Sequence, residues 1–441
     1  MNMYNIIKNS VKIITLGGLM SASLQGSVIP KHYEKTLDNG LQVVVVPLKN
    51  GSSVIDVNVI YKVGSRNEIN GKSGIAHMLE HLNFKSTKNL KAGEFDEIVK
   101  KFGGVDNAST SFDYTKYFIK ASNKNLAKCL ELFAEVMQNL NLIDSEFQPE
   151  RDVVLQERLW RTDNSPMGYL FFKFFNTAFQ KHSYHWTPIG FKDDIKGWKI
   201  EDIKEFHSIY YQPQNAIVLV AGDIEPNEVF KQAQKYFGGI QNKTDSIPQV
   251  TQKEPPQTEQ RRIVINKESE VEYLAMGYKI PDFSHQDQIA ISAIAKVLSE
   301  GKSSFFAREI VDKKRLASSV YAYSMDLQDD GIFLINALVA PNVKAEVVER
   351  EILAQLDLIK RGEISQETLE KIKINTKASF IYSFEDASSS ADVFGDYLAR
   401  GDLSPLFAYE EGINNLTVAK LAEVARKYFN QDSLTVAILR K

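Results

Sequence analysis

A helix followed by an apolar strand occurs twice in this chain, about half its length apart. Trp198–Tyr211 reads as a helix and leads to the run Ala216–Ala221 with Gly222-Asp223 after it. Leu421–Phe429, followed by Ser433–Ile438, repeats it at an offset of 218: Ile203 aligns with Leu421, Tyr210 with Tyr428 and Ile217 with Thr435. Two copies are too few for a solenoid, and 441 residues exceed what one core sustains. The repeat therefore predicts an α+β protein made of two homologous α/β sandwich domains. The boundaries expected are 30–243 and 261–441. Between them 244–260 reads as a polar linker carrying Pro248, Pro255 and Pro256.

Composition narrows the function classes. The net charge of −3 and 25% charged residues give no basic stripe for nucleic acid. Lys8 and Lys12 precede the apolar run Ile13–Met20, and Ser21-Ala22-Ser23 follow. That order predicts a signal peptide over 1–23 and export across the inner membrane to the periplasm. The run is too short for a stable membrane span; an uncleaved amphipathic anchor is the alternative. Cys129 is the single cysteine, so no intramolecular disulfide can form. Its amphipathic surroundings, Leu126–Phe133, predict a buried thiol.

The chemistry points to His77-Met78-Leu79-Glu80-His81. Apolar residues at 75, 78, 79 and 82 predict a helix with one buried face. Residues four apart lie one above the other, so His77 and His81 can reach one ion, with Glu80 close enough to meet a water there. This H-x-x-E-H order is the inverse of the commoner H-E-x-x-H zinc motif. A catalytic zinc takes three protein ligands, so a third is expected from another helix. The best segment is Pro149–Glu157, with Pro149 expected at the first helical position and Glu150 and Glu157 two turns apart on one face. Glu157 falls 76 residues after His81.

This combination resembles the M16 family of zinc metallopeptidases, the pitrilysin and mitochondrial-processing-peptidase group. The resemblance implies a LuxS/MPP-like metallohydrolase fold and one zinc per chain. It implies His77, His81 and Glu157 as ligands, Glu80 as general base and Glu150 as a supporting acid of the catalytic site. Val63–Glu68 before the motif and Phe84-Lys85-Ser86-Thr87 after it are similar to family segments, the latter with serine for glycine. Asn107–Tyr117 resembles the family's N-A-x-T-x-x-D-x-T-x-Y segment. That segment is expected as an edge strand on which an unfolded peptide adds through main-chain hydrogen bonds, with Asn107 and Ala108 in contact with substrate. His182 and His185, like His32, His207 and His285, are expected to be structural.

One departure shapes the expected partner. Self-sufficient M16 enzymes take an arginine and a tyrosine from the second half, in a segment matched here by Ile310–Val320. Val311 and Ser318 stand at those positions. The second half also lacks H-x-x-E-H. The chain resembles the zinc-bearing half of a pair, so a homologous M16 partner chain is expected to supply both donors to cleave peptides or unfolded segments. The alternatives are a homodimer active by itself and a non-catalytic structural subunit.

Overall fold

The computed structural model describes residues 28–441; the expected signal peptide lies outside them. In the first half, strands β1 (Tyr33–Thr36), β2 (Gln42–Pro47), β3 (Val54–Tyr61), β4 (Val105–Thr110), β5 (Thr115–Ser122) and β6 (Ala216–Gly222) form one sheet in the order β1-β2-β6-β3-β5-β4. In the second, β7 (Arg261–Asn266), β8 (Tyr273–Ile280), β9 (Ala317–Met325), β10 (Gly331–Val339) and β11 (Leu434–Arg440) are ordered β7-β11-β8-β10-β9. Apart from β1 the two sheets have one topology. Each contains a single parallel pair, β2 with β6 and β7 with β11, and the register repeats: Gln42 faces Ile217 as Arg261 faces Thr435. The repeat legible in the sequence is thus a repeat of the whole sheet.

The central strands are buried on both faces, which is why β6 is an unbroken apolar run. On one face of the first sheet, Val43, Val45, Val57 and Val59 pack with the Ile75–Leu82 and Leu126–Asn139 helices. Cys129 is fully buried there. The other face, with Val44, Val46, Ile60, Ile217 and Leu219, is closed by Phe394 and Leu398 on the Ala387–Ala399 helix, which belongs to the second half. The reverse holds for the second sheet. Its outer face is closed by Leu170, Phe174 and Phe175 of the Pro166–Ala178 helix from the first half. Both covering helices have 13 residues, and they are exchanged between the halves.

Glycine permits each close approach. A Cβ on Gly395 would lie 2.9 Å from Ile60 Cδ1, and one on Gly277 would lie 2.7 Å from Phe174 Cζ. In the first sheet the glycine is on the helix, and in the second on the strand.

Residues 244–260 contain no helix or strand. The segment is nonetheless tied down, since the Glu254 carboxylate accepts the backbone N–H groups of Gln180, Lys181 and His182 and pairs with Arg261. Two local expectations are corrected. Pro149 is not the first helical residue: the helix runs Asp144–Arg158, begun by Asp144 and Glu146, whose charge favours a helix N-terminus, with the proline inside. Asn107–Tyr117 is not one strand but the end of β4, a turn at 111–114 and the start of β5, with Ser111 N–H bonded to Tyr114 O. The edge strand is Val105–Thr110, paired on one side with β5.

Candidate metal centre and active site

The helix Ile75–Leu82 has an apolar face of Ile75, Met78, Leu79 and Leu82 in the core, which turns His77, Glu80 and His81 the other way. Its entry is fixed by two residues. Gly74 has φ +88°, and a Cβ there would sit 2.8 Å from both Ile189 O and the Trp198 ring, so a side chain is excluded. Glu68, itself buried, then accepts the N–H groups of Gly74 and Ala76 and of the Trp186 indole, each at 2.8 Å. Burial pushes its carboxyl up to about 8, against the pull of those three donors.

Across from this helix, Asp144–Arg158 presents Glu150 and Glu157 on one face. Glu157 Oε2 lies 3.7 Å from His77 Nε2 and 3.4 Å from His81 Nε2. One ligand atom from each of the three falls within 4.8 Å of the others, and among the described residues this is the one such group of three. Metal–ligand bonds of about 2.0–2.1 Å in a tetrahedron put neighbouring donors about 3.4 Å apart, so two imidazoles and a carboxylate here fit zinc. The three side chains are 12%, 20% and 15% exposed, which leaves an approach from solvent.

The surrounding contacts orient these groups. His81 Nδ1 is 2.8 Å from Glu150 Oε1, which turns Nε2 toward Glu157, and the other Glu150 oxygen pairs with Lys85 Nζ at 2.5 Å. His77 Nδ1 is buried with no partner. The charges of these two histidines therefore diverge. Burial, with His81 beside it, lowers His77 to about 4. Burial also acts to lower His81, but its bonds to Glu150 and Glu157 prevail and raise it to about 9. Glu157 is held below the carboxylate range: burial opposes this, while His81, His77 and Arg161 outweigh it.

Glu80 stands beside the group without joining it. Its Oε2 accepts a hydrogen bond from the Thr110 hydroxyl at the end of the edge strand. Burial raises its pKa, so it holds a proton more readily than an exposed glutamate. Asn107 and Ala108 lie on the same strand, where Asn107 Oδ1 accepts the Ala108 N–H at 2.9 Å. His77, Glu80, His81, Glu150 and Glu157 are thus brought together, with Asn107 and Ala108 three and two residues from the threonine that touches Glu80.

Three neighbours escaped the sequence reading: Lys85, Thr110 and Arg161. A signal for each existed. Lys85 and Arg161 follow His81 and Glu157 by four residues, and Thr110 lies inside the segment that nominated Asn107.

Elsewhere, His182 bonds Asp329 at 3.0 Å and the His185 ring meets Trp186 edge to face. Val311 is partly buried against the second core and Ser318 is exposed on β9. Every hydrogen bond and ion pair of the five clustered residues runs to the first half. A cleft of about 830 Å3 lies between β5 and second-half helices, lined by Tyr114, Lys116, Phe380, Tyr397 and Tyr409, and shares no residue with the cluster.

Comparison with known proteins identifies the family. Residues 43–186 match the model described as insulinase (peptidase family M16), and 197–376 the peptidase M16 inactive domain. The chain is 55% identical over 434 residues to the zinc protease PqqE of Helicobacter pylori, covering 98% of this chain and 97% of that one. A crystal structure of a protease from Helicobacter pylori superposes with a TM-score of 0.92 at 56% identity, covering 94% of this chain and all of that one. The periplasmic protease PqqL of Escherichia coli shares the fold with a TM-score of 0.77 at 20% identity; 93% of this chain is covered but 47% of that one. With both domain models matched and such similarity along its length, the chain belongs to peptidase family M16.

Proposed function

We propose that the chain is a zinc-dependent endopeptidase acting on peptides or unfolded segments, with one zinc per chain held by His77, His81 and Glu157. The observation that carries this is the convergence of two imidazoles and a carboxylate at 3.4 and 3.7 Å, with the half-buried Glu80 carboxylate beside them. Zinc in such a site supplies a Lewis acid that brings the pKa of water toward neutrality.

The chain's own residues do the rest. Glu80, steered by Thr110, takes a proton from the attacking water and delivers it to the leaving amine, so its raised pKa suits both transfers. Glu150 holds His81 with Nε2 turned inward. β4 offers its free side to an extended peptide, with Asn107 and Ala108 in contact with it. The carbonyl-polarising arginine and tyrosine come from a homologous partner chain, because Val311 and Ser318 provide neither. The location is periplasmic, in keeping with the signal peptide read from 1–23 and with the compartment named for PqqL.

The test is Glu80→Gln. This change keeps size and removes the base, so metal content and melting temperature should match the wild type while turnover falls roughly 10²-fold or more. Wild-type turnover would remove Glu80 from the reaction.

A further inference from the structure

Glu157 uses its two oxygens differently. Oε2 faces His77 and His81, while Oε1 is 2.8 Å from Nη1 of Arg161. Arg161 lies in a π-helical turn, Leu159–Asp163, that continues the Asp144–Arg158 helix. Such wide turns are frequent at functional sites. An exposed i,i+4 ion pair ordinarily contributes little. Two features set this one apart: its carboxylate is a ligand candidate only 15% exposed, and the backbone beneath Arg161 is pinned from several sides.

Three anchors hold that backbone. Arg158, buried, bonds Asp163 Oδ1 through Nε and Nη2 at 3.1 Å and lies 3.9 Å over the Phe172 ring. Gly168 lets the turn sit on the Pro166–Ala178 helix, since a Cβ there would come within 2.0 Å of Arg161 O. Lys267, which follows β7 in the second half, donates to Asp163 O at 2.6 Å. The helix under the turn is also the one that closes the second sheet.

We propose that Arg161 is a positioning residue that reserves one oxygen of Glu157 for the metal, and that the second half of the chain steers the site through Lys267 and this turn. The inference rests on Glu157 being a ligand, as proposed above. With Oε1 occupied by the guanidinium, Oε2 alone is presented to the imidazoles. Without it the carboxylate is free to rotate and offer either oxygen or both.

The experiment loads the full chain with Co2+ as a spectroscopic substitute for zinc and measures zinc affinity by competition with a chromophoric chelator. Wild type should show the intense visible bands of a four-coordinate site. Arg161→Ala should weaken and shift them toward five-coordination and lower zinc affinity about tenfold or more, the usual effect of losing a residue that orients a ligand. Loss of the exposed positive charge acts in the opposite direction but is screened by water. Arg161→Lys, which keeps a donor four residues on, should restore the wild-type spectrum, and Lys267→Met should shift it part of the way with Arg161 intact. Glu157→Gln separates the two layers: if it retains full metal the ligand assignment fails, whereas if it loses metal while Arg161→Ala leaves spectrum and affinity unchanged, only the positioning role falls. An unchanged Lys267→Met spectrum overturns the part assigned to the second half. Melting curves of each variant keep misfolding from passing as a positive result.

Discussion

If the proposed ligands hold, metal binding to the zinc-free chain should be strongly pH-dependent, because one of them, His81, starts out protonated. His81 sits at about 9, against an ordinary 6.5, owing to Glu150 and Glu157. At pH 7 its charged form therefore outnumbers the neutral one by about 100 to 1. His77, at about 4, is already neutral, and Glu157 is already ionised. A bound imidazole must be neutral, so each zinc should expel about one proton. Apparent affinity should then rise about tenfold per pH unit between 7 and 9, about 100-fold in all, and flatten above. The same shift acts on stability. His81 is raised on folding, so its contribution to the zinc-free protein, on the order of 3 kcal/mol, is complete below pH 6.5 and lost as pH rises through about 9. Calorimetric titrations at pH 7 in buffers of different ionisation enthalpy count the proton, and chelator competition from pH 6 to 10 gives the slope. Glu150→Gln should move the plateau to lower pH. A flat profile between 7 and 9 with no proton released would refute the assignment of His81 as a charged, acid-paired ligand.

Three further outcomes are expected. Thr110→Val removes the hydroxyl that steers Glu80, so zinc content should hold while turnover falls about tenfold or more, read as kcat against KM on a quenched peptide. Phe394→Ala empties a fully buried site on the first sheet and should cost about 3–5 kcal/mol, measured by urea unfolding; a loss under 1 kcal/mol would mean the exchanged helix is not part of the cooperative fold. The chain alone should have little peptidase activity, and a homologous partner bearing the arginine and tyrosine should restore it without adding metal. Robust activity of the rigorously purified single chain would favour the homodimer instead.

Most of the candidate site is legible in the sequence because its geometry obeys short-range rules. His77 and His81 share a face through helical periodicity alone, and Glu150 and Glu157 do likewise. That these two helices meet is a long-range fact that periodicity does not encode; the paired glutamates nominate the second helix, and the family resemblance assigns Glu157 to the histidines. The repeat at 218 residues was legible since β6 and β11 are buried on both faces and so keep apolar text. What stayed hidden has physical causes. Pro149 marks a helix start by local rule, yet Asp144 and Glu146 nucleate the helix earlier. Thr110 and Arg161 act through single contacts with residues distant in sequence or across a turn whose π geometry no propensity encodes. The exchange of the covering helices leaves no mark either, since Phe174 and Phe394 look like ordinary core phenylalanines whichever sheet they close.

That exchange sets a clock on synthesis. The last strand of the first sheet ends at Gly222, and the helix that seals its outer face begins at Ala387. At about 5–20 residues per second a ribosome needs on the order of 10–30 s to cover that distance. Throughout this interval Val44, Val46, Ile60, Ile217 and Leu219 have no cover from their own chain, and their edge neighbours are open to other strands. A nascent first half is therefore a client for a holding chaperone, and a truncated one an aggregation hazard. Neither half has a finished core until the other has been made.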